Sequence, residues 1–305
     1  MYAPVIVFVY CRLEHTQKTL QALNVNELAA ETDLYIFADN AKNENNREKV
    51  DAVRGYIDQF KQEAAFKSIT IIKAEKNKGL ANSIISGVTE VIRKHNKAII
   101  VEDDLLTSSS FLTYMNGALD FYEKNPQIGS ISAYTYDIDA LKEYDKDIYM
   151  TYKGECWGWG TWKDRWEKVD WEVKSYQEFY KDRKKRKDFD KLEFGLVHML
   201  DMQMAGKIDS WAVRWVYHLF ENHLMTVYPT TSEVINFGFD GSGTHCKAVR
   251  EVEGTLQNEK KKYHFENLEV DPVIAKQVGR YETRKPVDWL IRILSKILFR
   301  IGIKI

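Results

Sequence analysis

Glu102, Asp103 and Asp104 are consecutive acids placed directly after the apolar run Ala98-Ile99-Ile100-Val101. A short run of this kind reads as a strand buried on both faces, as in a parallel sheet. The acids then stand at the rim of the sheet, where open α/β folds bind their ligands. Side-by-side carboxylates repel one another unless positive charge sits among them, and a divalent cation with oxygen ligands is the simplest source. A solvated strand-to-loop junction is the plainer reading of the same three residues. Two later stretches also hold reactive groups. Asp209 lies in Lys207-Ile208-Asp209-Ser210-Trp211, and His245 ends the run Phe239-Asp240-Gly241-Ser242-Gly243-Thr244-His245. The glycines of that second stretch allow a loop to fold over a phosphate with its backbone N–H groups.

The elements that must position these groups alternate. Val5–Tyr10 is β-branched and aromatic and reads as a first strand, followed by a polar helical stretch from about Thr16 to Ala30. Leu34–Ala38 is a second strand closed by Asp39-Asn40, and 47–61 has helical apolar spacing at Val50, Val53, Ile57 and Phe60. Ile69–Ile72 is a third strand. Asn77-Lys78-Gly79 then turns into a helix with Leu80, Ile84, Ile85, Val88 and Ile92 on one face, and Ala98–Val101 is the fourth strand. This alternation specifies an α/β fold: a mostly parallel central sheet, right-handed crossovers and helices on both faces.

Composition excludes several classes. With 305 residues there is ample core for a stable fold, and the net charge of -1 gives no positive field for general nucleic-acid binding. The three cysteines, Cys11, Cys156 and Cys246, are widely spaced, which suits a reducing compartment and provides neither a disulfide framework nor a zinc site. The first apolar run is too short for a signal peptide and lacks a basic start, so a cytoplasmic location is expected.

In order, the Val5–Tyr10 strand, Arg12, the strand ending in Asp39, the helix start Asn77-Lys78-Gly79-Leu80-Ala81 and the Glu102-Asp103-Asp104 triplet resemble nucleotide-sugar glycosyltransferases of the GT-A fold. The inverting N-acetylglucosaminyltransferase I type and its bacterial relatives, in which an acidic triplet replaces Asp-x-Asp, are most similar, over roughly residues 4–246. The resemblance implies a Rossmann-like GT-A domain and a metal-dependent transfer from a nucleoside diphosphate sugar. When bound, Mn²⁺ or Mg²⁺ neutralises the charge that develops on the departing diphosphate. By the same resemblance Asp104 contacts the metal, Asp103 holds the ribose or a metal-bound water, and Glu102 completes the donor site. Asp39 accepts the uracil N–H; an Asx turn or helix cap is its alternative. Arg12 pairs with the diphosphate or closes on the base, unless it is an ordinary surface arginine. Gly79 brings a helix N-terminus to the donor, or serves as a plain turn glycine. His245 is a distal metal ligand or a donor to the diphosphate.

The second half is expected to carry the acceptor side. Five of the eight tryptophans fall within 154–171. Gly158 and Gly160 permit close backbone approach, and the faces of Trp157 and Trp159 suit the C–H faces of sugars, so these four residues are assigned to the cleft. Trp162 and Trp166, four apart, read as core. An acceptor hydroxyl needs a carboxylate to take its proton, and Asp209 resembles the family's base. The relatives often carry two adjacent acids where Asp209-Ser210 stands, so the register is open by one residue, and an N-cap is the alternative role.

Residues 1–250 are therefore expected to form the catalytic domain, with 1–130 as nucleotide-sugar half and 131–250 as acceptor half. A charged connecting segment follows over 251–285. In 286–305, Arg292, Lys296, Arg300 and Lys304 form a stripe drifting ~40° per step on an amphipathic helix, suited to a membrane interface or to a protein surface. The expected partners are a nucleotide-sugar donor and a glycan or lipid-linked acceptor at the cytoplasmic face of a membrane. A sugar nucleotidyltransferase would need a glycine-rich basic loop after the first strand, and Cys11-Arg12-Leu13-Glu14-His15 has no glycine. A non-catalytic carbohydrate-binding protein of the same fold would have no need of an acid at Asp209.

Overall fold

The structure, a computed structural model, describes residues 1–241, 256 and 262–283. Its first half follows the expected alternation: β1 (Val5–Val9), α1 (Leu13–Asn24), β2 (Asp33–Ala38), α2 (Arg47–Glu63), β3 (Ser68–Lys73), α3 (Leu80–His95) and β4 (Lys97–Glu102). Next come β5 (Leu105–Thr107), α4 (Phe111–Tyr122), β6 (Ile128–Ser132), β7 (Ile148–Thr151), β8 (Trp159–Trp162) and α5 (Lys163–Trp166). The remaining elements are α6 (Tyr176–Lys181), α7 (Arg183–Leu192), α8 (Leu196–Met204), α9 (Trp211–Glu221), β9 (Met225–Pro229), β10 (Val234–Asn236) and α10 (Pro272–Arg280).

Eight strands form one sheet in the order β3-β2-β1-β4-β8-β6-β9-β7. β1 pairs in parallel with both β2 and β4, whereas β8 runs antiparallel to β4 and β6. The chain thus builds outward from β1 to β3 on one side and resumes at β4 on the other. A topological switch point results at the carboxyl ends of β1 and β4, the place where such sheets open a crevice.

Alternation within the strands sorts side chains to two faces. Val5, Val7, Val9, Leu34 and Ile36 pack with Leu20, Leu23, Val53, Ile57 and Phe60 of α1 and α2. Ile6, Phe8 and Ile100 face the other way, onto Ile84, Val88 and Ile92 of α3. This second core continues through Trp159, Trp166, Trp211 and Trp215, and a satellite core joins α6 through α9. Trp162 and Trp166 are buried as expected, although Trp162 ends a strand and only Trp166 is helical.

A second, two-stranded sheet borders the acidic triplet. β5 and β10 pair antiparallel with Asn236 opposite Leu105. Because β5 starts immediately after Asp104 and β10 ends immediately before Phe237, this register lays Phe237 beside Asp104.

The stretch expected as a charged connector is partly otherwise. Tyr263 and Phe265 pack on Tyr114, and Ile274, Val278 and Tyr281 enter the main core, with Asp271 capping α10. Its apolar residues are too few and too widely separated to show a period in sequence, yet they suffice to strap it down. The expected 286–305 helix lies outside the described residues.

Candidate active site

Arg12 leaves the end of β1 and the triplet leaves the end of β4, so the switch point brings them together. The Arg12 guanidinium donates to Asp103 Oδ1, and the same Nη2 lies 2.9 Å from Asp104 Oδ2. The backbone under these groups is fixed from two sides. Thr19 Oγ1 donates to the Asp103 carbonyl at 2.8 Å, and the Phe237 N–H donates to the Asp104 carbonyl at 3.0 Å. Gly238 then lies flat on the Asp104 side chain: a Cβ there would sit 2.9 Å from Asp104 Cβ and Cγ. The ribbon arm is held to α1, where Phe237 stacks on His15 at 4.9 Å and His15 Nε2 meets Asp240 Oδ2 at 3.3 Å.

Charge is crowded here. Burial, followed by the charges of Asp104 and Asp103, pushes the Glu102 carboxyl up to about 8. Burial also raises Asp103, to about 6, with Arg12 opposing the rise. For Arg12 itself burial favours the neutral form, but Asp103 and Asp104 outweigh it and hold the guanidinium firmly charged. Since Glu102 binds its proton more tightly in the native state, it contributes stability that is complete below its ordinary value near 4.5 and is lost as pH rises through about 8. In EDTA, Glu102→Gln should therefore melt higher than the parent at pH 8.5 and close to it at pH 5. An equal difference in Tm at both pH values would refute this electrostatic account.

Hard oxygen donors of this kind suit Mn²⁺ or Mg²⁺. Among the described residues no three His, Cys, Asp or Glu side chains converge into a cage. The oxygens present would suit a cation held by one or two carboxylates. Asp104, backed by Gly238, and Asp103 would hold it.

Several expected roles change. The Asp39 carboxylate accepts from Asn40 N (2.8 Å), Lys78 N (2.9 Å), Gly79 N (3.0 Å) and Asn77 Nδ2 (3.0 Å). Its acceptor sites are thus taken up in bracing the turn into α3, the Asx-type alternative, and none is left for a base N–H. Gly79 serves that turn: its φ of +75° suits a residue without Cβ. Trp159 leaves the cleft assignment altogether. It is fully buried, stacked on Trp211 at 5.3 Å and packed against Trp166 and Trp215, because alternation along β8 turns it to the second core. Gly158 and Gly160 are both buried where packing leaves no room for a side chain. A Cβ would meet Val234 at 2.9 Å from the first, and Met115 at 3.1 Å and the Ala98 carbonyl at 3.2 Å from the second. Trp157 is half-buried between Tyr134 and Phe239 of the ribbon arm, and it alone of the four keeps an exposed part near the site.

Asp209 is exposed, and one oxygen pairs with Arg214 Nη2 at 3.2 Å. Ser210, not Asp209, caps α9 by accepting from Val213 N. No hydrogen bond or ion pair among the described residues joins Asp209 to the triplet. His245 lies outside the described residues.

Sequence reasoning missed His15, Phe237 and Gly238. His15 stands three positions after Arg12, in the first turn of the helix that Arg12 precedes, a signal that was available. The other two depend on the β5–β10 register, which no local pattern reveals. It also missed a buried group beyond Trp157, in which Lys153 Nζ donates to Tyr136 Oη and lies 3.1 Å from Glu155 and 3.3 Å from Glu193. Cys156, beside it, has its thiol pushed up by burial and by the charges of Glu155 and Glu102, which makes it a poor nucleophile.

No protein-family model matches this chain, and no curated protein does. Among solved structures, Staphylococcus aureus TarS 1–349 in complex with UDP-GlcNAc aligns over 77% of this chain and 58% of its own, at 10% identity and a TM-score of 0.41. The mannosyltransferase PcManGT from Pyrobaculum calidifontis, in complex with GDP-Man and Mn²⁺, aligns over 54% and 46%, at 15% identity and a TM-score of 0.37. The chain thus spans less than two thirds of the length of either structure. Likeness this distant leaves the chemistry to be read from the chain's own residues.

Proposed function

We propose that this chain is a metal-dependent, inverting glycosyltransferase of the GT-A fold. It would move a hexosyl or N-acetylhexosaminyl group from a nucleoside diphosphate sugar, preferably UDP-linked, to a glycan or lipid-linked acceptor in polysaccharide assembly. One observation carries the reading: Arg12, Asp103 and Asp104 converge at the switch point of the sheet. A guanidinium and hard carboxylates at one crevice are the complementary halves of a diphosphate–cation site.

Within that reading the residues divide their tasks. Asp103 and Asp104 would hold a cation, which would supply positive charge to offset the negative charge developing on the leaving diphosphate. Arg12 binds the diphosphate oxygens, and the ribbon arm at 237–240 shields Asp104 from water. Asp209 is assigned the base. Arg214, itself held by the Ser210 and Trp171 carbonyls at 3.0 and 3.2 Å, orients one oxygen of Asp209 and leaves Oδ2 open to accept a hydroxyl proton. The 286–305 segment would hold the enzyme at the cytoplasmic face of the membrane.

A panel of UDP- and GDP-sugars incubated with purified protein should release nucleoside diphosphate with Mn²⁺ present and not with EDTA. Absence of metal-dependent release across the panel, with acceptor mixtures included, would reject the assignment.

A further inference from the structure

We propose that Arg12 is the resident counter-cation of Asp103 and Asp104, so that a divalent cation and a nucleoside diphosphate enter together and each enters poorly alone. This deepens the donor-site reading above and rests on it.

Charge sets the terms of entry. The side chains of Arg12, Asp103 and Asp104 are only 18%, 9% and 14% exposed, so water screens them little. A single nitrogen, Nη2, is shared between Asp103 Oδ1 and Asp104 Oδ2, so one oxygen of each carboxylate that would hold a metal already has a cationic partner. A metal arriving alone would find those oxygens already partnered by a cation that offsets part of their charge. It would also have to sit within a few ångströms of a guanidinium that cannot lose its proton, and like charges so close in a poorly hydrated site oppose its entry. Arg12, conversely, has no reason to leave the two acids for bulk water.

A diphosphate removes both obstacles. Its oxygens accept the planar guanidinium in bidentate fashion, which draws Arg12 off the acids, and further oxygens complete the metal's coordination. The side chain is built to make the exchange. Its backbone is pinned, with the Arg12 carbonyl accepting from Thr16 N and Thr16 Oγ1, both at 2.9 Å. Among the described residues its guanidinium has no hydrogen-bond partner except the two acids. Arg12 is thus a positioning residue for the metal as well as a contact for the donor. Thermodynamic linkage then requires the coupling to be reciprocal: diphosphate must tighten metal by the factor with which metal tightens diphosphate.

The test is a Mn²⁺ titration read by the electron paramagnetic resonance signal of free manganese, with and without UDP or GDP. The parent should bind manganese weakly alone and at least tenfold tighter with the nucleotide. Arg12→Gln, confirmed folded by circular dichroism, should bind manganese alone at least tenfold tighter than the parent, and its enhancement by nucleotide should fall at least fivefold. Arg12→Lys, which keeps a cation beside the same oxygens, should resemble the parent in manganese binding alone. If Arg12→Gln binds manganese no tighter than the parent while the parent binds both ligands, the proposal is overturned and the donor-site reading stands. If the parent binds neither nucleotide with manganese, both fall. Were Arg12→Gln not to fold, the parent still decides: manganese and nucleotide binding independently of one another would overturn the proposal.

Discussion

Asp104→Asn is expected to lower kcat by roughly 10²–10³-fold, the size of effect produced by loss of one preorganised group stabilising transition-state charge. The substitution keeps the shape of the side chain and an oxygen for Arg12, so what it removes is the negative charge at the oxygen facing Nη2. The unliganded protein should not suffer. Asp104 is one of the charges that force Glu102 and Asp103 away from ionisation, and neutralising it relieves that crowding. Two measurements separate these effects. In a thermal-shift experiment with a UDP-sugar and Mn²⁺ at a hundred times its dissociation constant, the parent should gain ~2.7 kcal/mol, and Asp104→Asn should gain little. Without ligand, the two should melt alike or the variant slightly higher. A variant that turns over at the parent rate would remove Asp104 from the metal site, and one that fails to fold would mean that the acid is needed for structure.

Lys153→Met is expected to destabilise the fold by about 3–5 kcal/mol, the cost of leaving a buried carboxylate without its counter-ion. Lys153 and Glu155 are both buried, and Glu193 approaches the same ammonium at 3.3 Å. Burial on its own would depress the lysine, but Glu155 and Glu193 reverse this and keep it charged. Methionine fills similar volume, so packing changes little, while two acids lose their shared cation and Tyr136 loses a polar neighbour. Urea unfolding at pH 7 followed by circular dichroism should show the midpoint fall. The loss should shrink when Glu155→Gln is added, because the charge needing compensation is then gone. A single variant as stable as the parent would show that water reaches the group freely.

The first half of the fold was legible because its helices and strands are local. Val50, Val53, Ile57 and Phe60 repeat at helical spacing, and Ala98–Val101 is an uninterrupted apolar run. The triplet was legible for the same reason: acids at the end of a buried strand are conspicuous. Asp39 was found in sequence with two readings, a base contact and a turn brace, and sequence could not choose between them, since nothing in its neighbours says that Lys78 and Gly79 will turn their N–H groups toward it across 39 and 40 positions. Trp159 was misplaced because clustering of tryptophans says nothing of face. That depends on β8 running antiparallel between β4 and β6, a pairing of distant segments. Gly238 and Phe237 became significant only through β10, whose partner β5 lies about 130 positions earlier, as the pairing of Val234 with Thr107 illustrates.

The slab of indoles at Trp159 has an implication for how this protein can diversify. Trp159 is registered opposite Ile100, two residues before the acids, and its ring lies on Trp211, two residues after Asp209. The proposed metal holder and the proposed base are therefore set out along one stiff ruler of aromatic rings and strand. Drift in either end would shift the other, so change in this stretch is constrained jointly. New acceptor preferences should accordingly arise in segments off the ruler, such as the 133–147 connection, which can be recut without altering the gauge.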